Sequence, residues 1–90
     1  MKSVTVRYKG EVQGVGFRYT VSSIAKEYPV GGYVKNAVDG CVEIVAEGKD
    51  RDLRRFLDNV AQGRLSRYIS GVDVAWSNNL HSYSSFGISY

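Results

Sequence analysis

Arg18 ends the stretch "GEVQGVGFR", residues 10–18, at the point where an apolar helical repeat begins. Glycine is costly to order and is used where a positive φ or a close backbone approach is needed. A cation in the first turn of a helix faces the positive end of the dipole and is disfavoured by roughly 0.3–1 kcal/mol. An anion held at the loop removes both objections. Successive backbone N–H groups in a glycine-rich turn leading into a helix form an anion-binding concavity. Arg18 adds a planar fork of donors matched to phosphate oxygens. The alternative is a tight turn whose arginine lies along the surface. Two nucleotide motifs are excluded: GxxxxGK[ST] is missing, and Gly14-Val15-Gly16 lacks the third glycine of a dinucleotide fingerprint.

Asn36 is the second candidate. Asparagine is depleted in strands, yet period-two alternation sets it on the side of Val34 and Val38. An amide on an apolar face needs partners, since an unsatisfied group costs roughly 1–3 kcal/mol. A bound water or ligand would supply them, and so would nearby backbone or a bend in the sheet. The single cysteine, Cys41, allows neither an intrachain disulfide nor a multi-thiolate zinc site, and lacks the arginine five or so residues on that a cysteine phosphatase loop needs. The single histidine, His81, argues against a histidine metal site or a Ser-His-Asp triad. No metal and no cofactor are expected.

The elements that position these residues follow from periodicity. Residues 3–12 alternate through Val4, Val6, Tyr8 and Val12 as a half-buried strand. Phe17, Val21, Ile24, Ala25 and Tyr28 mark a helix of about three turns that stops near Pro29. "GYVKNAVDGCVEIVAEG" reads as two strands around the Asp39-Gly40 turn. Leu53, Phe56, Leu57, Val60 and Ala61 stripe a second helix, with Asp50 and Asp52 in its first turn and Gly63 closing it. Val72, Val74 and Trp76 alternate in a fourth strand, and Phe86, Ile88 and Tyr90 in a short last one. The order β-α-β-β-α-β predicts an α+β, ferredoxin-like sandwich: an antiparallel sheet, two helices on one face and a short fifth strand. In that topology the start of helix 1 and part of the second strand approach each other at one end, so Arg18 and Asn36 can share a site.

Ninety residues, 43% hydrophobic and 23% charged, make one domain over 1–90, with no linker, repeat or membrane-length apolar stretch. A cytoplasmic, soluble protein that does not bind membranes is expected. The formal charge of +3 is spread along the chain and favours anionic partners weakly. Nucleic acid is not expected, because the third strand, "CVEIVAEG", is acidic and carries no aromatic ring for base stacking.

"GEVQGVGFR" (10–18) and "GYVKNAVDGCVEIVAEG" (32–48) together closely resemble the two signature segments of the acylphosphatases, and length and element order agree along the whole chain. The resemblance implies hydrolysis of acyl phosphates, small-molecule substrates, to carboxylate and inorganic phosphate without metal or cofactor. It implies that the loop of Gln13, Gly14, Val15, Gly16, Phe17 and Arg18 cradles the phosphoryl group, or inorganic phosphate or sulfate in its place. Arg18 would bind that group and Asn36 would position the attacking water. Gln13 either shapes the loop or turns its side chain to solvent. A monomer is expected. The chain departs from the family pattern at Tyr28-Pro29-Val30 and at "QGRLSRY", residues 62–68, where a Gly-Pro is frequent. A non-catalytic anion-binding module is the rival reading that keeps the same loop.

Overall fold

Alternation carries β1 (Lys2–Gly10) through the interior of the sheet, burying Val4, Val6 and Tyr8 while Thr5, Arg7 and Lys9 turn to the opposite face. The computed structural model describes all residues from Met1 to Tyr90. β1 pairs antiparallel with β3 (Val42–Gly48) on one side and with β4 (Ile69–Ser77) on the other. β2 (Gly31–Asn36) lies antiparallel on the far side of β3, and β5 (Phe86–Ser89) adds to β2. The order is β4-β1-β3-β2-β5. Helices α1 (Phe17–Ala25) and α2 (Asp50–Gln62) cover one face, and their Phe17, Val21, Leu53, Phe56 and Val60 close a single core with Val34 and Ile44.

The α+β architecture is the one the periodicity predicts, with one addition. β5 runs parallel to β2 and makes the sheet mixed. The chain leaves β4 on one edge and reaches the other edge by a connection along one end of the sheet. The buried Glu47 carboxylate accepts the His81 and Tyr83 backbone N–H groups, and Ser3 Oγ donates to Asn79 O at 2.9 Å. Tied there, the connection enters β5 from the end where β2 begins, so only a parallel pairing is open to it.

Several local expectations shift. β1 ends at Gly10, where its pairing with β4 slips by a residue and where a Cβ would lie 2.3 Å from Tyr68 O. The first glycine of "GEVQGVGFR" therefore serves a chain crossing. Helix α1 is nine residues long, shorter than three turns, because Glu27 and Tyr28 donate to Ile24 O and Ala25 O and tighten the chain before Pro29. Gly63 ends α2 in an extended conformation, φ −85°, and the chain continues into a 3₁₀ segment, Arg64–Tyr68, whose Leu65 is buried. Val38 lies fully exposed in the turn after β2, off the side it was expected to share with Val34. Val72, Val74 and Trp76 do alternate on the helix side, opposite Tyr8, Val6 and Val4. They remain more than a third exposed because α2 reaches this edge chiefly through Arg54, whose guanidinium lies 4.6 Å over the Trp76 ring.

Phe56 is fully buried between Tyr28 and Phe86, with ring centroids at 6.1 and 5.5 Å. Phe56→Ala leaves a cavity where α2 meets both β5 and the turn after α1, and a loss of about 3–5 kcal/mol is expected. Urea unfolding followed by circular dichroism measures it; a loss under about 1 kcal/mol would mean that the core collapses around the missing ring.

Candidate active site

The loop between β1 and α1 holds left-handed backbone at Gly14 (φ 82°) and Gly16 (φ 77°), with Gly16 as the N-cap of α1. No side chain caps the helix and no acid lies in its first turn. The backbone N–H groups of Gly14, Val15, Gly16, Phe17 and Arg18 donate to no acceptor within the protein. Alternating handedness aims successive N–H groups at one point. Phe17, buried against Tyr8 at a centroid distance of 5.2 Å, fixes where the loop enters the helix. The same burial pushes the Tyr8 phenol pKa up, so it stays neutral.

A cleft of about 150 Å³ opens beside this loop, lined by Gly14, Gly16, Phe17, Arg18 and Asn36 with Tyr90 at its rim. Arg18 and Asn36 therefore line one cavity. Arg18 makes no ion pair, and its guanidinium lies 4.9 Å over the Tyr90 ring. Asn36, the last residue of β2, makes no side-chain hydrogen bond within the protein. The backbone partners that a structural amide would need are missing. No Asp, Glu, His or Cys side chain lines the cleft. No group of three or more His, Cys, Asp or Glu side chains is placed to hold a metal ion. No helix is long and apolar enough to cross a membrane.

Of residues 13–18, Gln13 and Val15 are the two that do not line the cleft. Gln13 Nε2 donates to Ala37 O at 2.8 Å and Cys41 O at 2.9 Å. Its amide thus joins the loop to the turn that follows Asn36, while the residue itself stays exposed. That turn is held from its other side. Asp39 Oδ1 accepts the Cys41 N–H at 3.1 Å, and Oδ2 accepts from Arg7 Nη2 at 2.6 Å.

Arg64 is the residue that sequence reasoning missed. Its Nη2 donates to Val15 O at 3.2 Å and Thr20 Oγ1 at 2.8 Å, across 49 and 44 positions. Periodicity carries no information at that range. The only signal was an arginine standing outside the family pattern just past α2. Tyr90 lies just past β5 rather than in the last strand, and nothing in its spacing joins it to Arg18.

The acylphosphatase family model matches residues 4–88. An acylphosphatase of Bacillus velezensis is 46% identical over 81 residues, spanning 90% of each chain. The chain belongs to the acylphosphatase family. An acylphosphatase of Thermotoga petrophila is 44% identical over 90 residues, covering 100% of this chain and 99% of the relative. The crystal structure of the Bacillus subtilis acylphosphatase superposes with a TM-score of 0.92 at 38% identity over the whole of both chains. Family membership carries a small-molecule substrate with it.

The turn beside Asn36 has a predictable acid response. The Cys41 N–H, and to a smaller extent Arg7, hold the Asp39 carboxyl below its ordinary value of 3.8. A lowered folded-state pKa means that the stabilisation is complete above 3.8 and is lost as pH falls through the lower value. The Cys41 amide resonance is expected to titrate with a midpoint below 3.8. A midpoint at or above that value would show that the carboxylate does not hold the turn.

Proposed function

We propose that the chain is an acylphosphatase in which residues 13–18 hold the phosphoryl group of an acyl phosphate and Asn36 orients the attacking water. The reading is supported above all by one observation: a loop with five consecutive free N–H groups and an arginine without an ion pair borders a cleft that also holds an unbonded amide. Family membership supplies the reaction.

An acyl phosphate is a mixed anhydride with a good carboxylate leaving group, so no protein nucleophile is required. Phosphoryl transfer through a loose transition state needs positioning and charge stabilisation. The N–H groups of 14–18 and Arg18 bind the non-bridging phosphoryl oxygens and stabilise charge on them. The Asn36 amide holds water in line with the leaving oxygen. The water oxygen bonds to phosphorus as the bond to the acyl oxygen breaks. One water proton passes to a phosphoryl oxygen of the substrate, consistent with a cleft lined by no Asp, Glu or His side chain. Gln13 serves through its side chain's hold on the Asn36 turn. Inorganic phosphate or sulfate occupies the same cleft as product or inhibitor. The enzyme acts as a monomer of one domain, residues 1–90, in the cytoplasm.

Kinetics on benzoyl phosphate, with an ordinary phosphate monoester as control, tests the assignment together with two variants. Turnover of the first substrate and little of the second is expected; activity on neither favours a binding module. Arg18→Ala should weaken phosphate binding and turnover together, since the guanidinium serves ground and transition states. Asn36→Ala should keep phosphate affinity near the wild-type value while kcat and kcat/KM fall about 10²–10³-fold, the equivalent of roughly 3–4 kcal/mol. Near-normal turnover in folded Asn36→Ala would remove the amide from the mechanism.

A further inference from the structure

Arg64 stands outside the cleft but touches the back of its wall. Nη2 bonds Val15 O and Thr20 Oγ1, and a Cβ on Gly16 would lie 3.1 Å from the same nitrogen. The six ion pairs of the protein leave Arg64 without a carboxylate partner. Its place is fixed from the core side, because the next residue, Leu65, is 1% exposed.

We infer that Arg64 is a positioning residue for the phosphoryl group, acting through the Val15–Gly16 peptide. The carbonyl and N–H of a trans peptide point in opposite directions. Drawing Val15 O outward to Arg64 turns the Gly16 N–H inward, toward the cleft that Gly16 lines. A charged donor strengthens the bond and polarises the peptide, which makes its N–H a better donor to an anion. The Thr20 hydroxyl, one turn into α1, keeps the guanidinium seated while the loop is empty or filled. Arg64 thus fixes the direction of a donor that is otherwise free to rotate with the two flexible glycine positions. Its unpaired charge also offsets the substrate's negative charge at short range.

This inference rests on the phosphate-binding reading of the loop, so the test must separate the two. Phosphate affinity by isothermal titration and kcat/KM on benzoyl phosphate are measured for wild type, Arg64→Ala and Arg64→Lys, with unfolding midpoints alongside. Arg64→Ala is expected to bind phosphate about tenfold more weakly and to lose a similar factor in kcat/KM, the scale of one charge-assisted hydrogen bond. Its unfolding midpoint without phosphate should barely move, because the side chain is exposed. Arg64→Lys, which keeps a charged donor near Val15 O, should recover most of the loss. An active wild type whose Arg64→Ala variant keeps wild-type phosphate affinity and kcat/KM overturns the role of Arg64 and leaves the loop reading intact. A folded wild type that neither binds phosphate nor hydrolyses benzoyl phosphate overturns both.

Discussion

The two hydrogens on Gln13 Nε2 join the halves of the cleft. One half is the glycine loop with Arg18, and the other is the end of β2 with Asn36 and its following turn. Apart from the bonds to Ala37 O and Cys41 O, no hydrogen bond joins the loop to that turn. Each bond is worth about 0.5–1.5 kcal/mol in stability, a small sum. Their larger effect is geometric, since a misplacement of about 1 Å in a positioned reactant can cost about 10²-fold in rate. Asp39 and Arg7 fix the same turn from the opposite face of the sheet, so the backbone beneath Asn36 is held from two directions.

The core does different work from these polar ties. Val4, Val6, Val34, Ile44 and the helix residues Phe17, Leu53 and Phe56 are buried to within 2%, and they fix where β1, β2 and α1 start and stop. Of these residues only Phe17 also lines the cleft, where its backbone N–H is free. Polar bonds then hold the loop on that frame, Gln13 from the hairpin side and Arg64 from the α2 side, above the packed Phe17 ring. Five N–H groups of the loop are left without an acceptor in the protein. Gly14 and Gly16 are exposed, so these donors are open to solvent or to a ligand.

What was legible in the sequence follows from range. Alternation in β1 and the 3.6-residue stripes of α1 and α2 are local signals, and they gave the elements, their order and the face that is buried. The Asp39-Gly40 pair placed the hairpin. Burial of the β4 residues was not legible, because alternation assigns a face and cannot say whether a helix reaches the sheet edge above Val72 and Val74. The parallel β5 depends on the path of the connection around Glu47, a contact between residues 34 and 36 positions apart. Arg18 and Asn36 stood out because each breaks a local rule, a cation at a helix start and an amide in a strand. Arg64 breaks no local rule, and only the fold brings it to Val15.

Isotope transfer reports most directly on whether the cleft is built around phosphorus. Benzoyl phosphate is hydrolysed in ¹⁸O-labelled water, and phosphate and benzoate are analysed by mass spectrometry. A loop that holds the phosphoryl group, with water aligned by Asn36, places the label in phosphate and leaves benzoate unlabelled. Label in benzoate would mean attack at the carbonyl carbon, and would contradict the assignment of the loop, Arg18 and Asn36 to phosphoryl transfer.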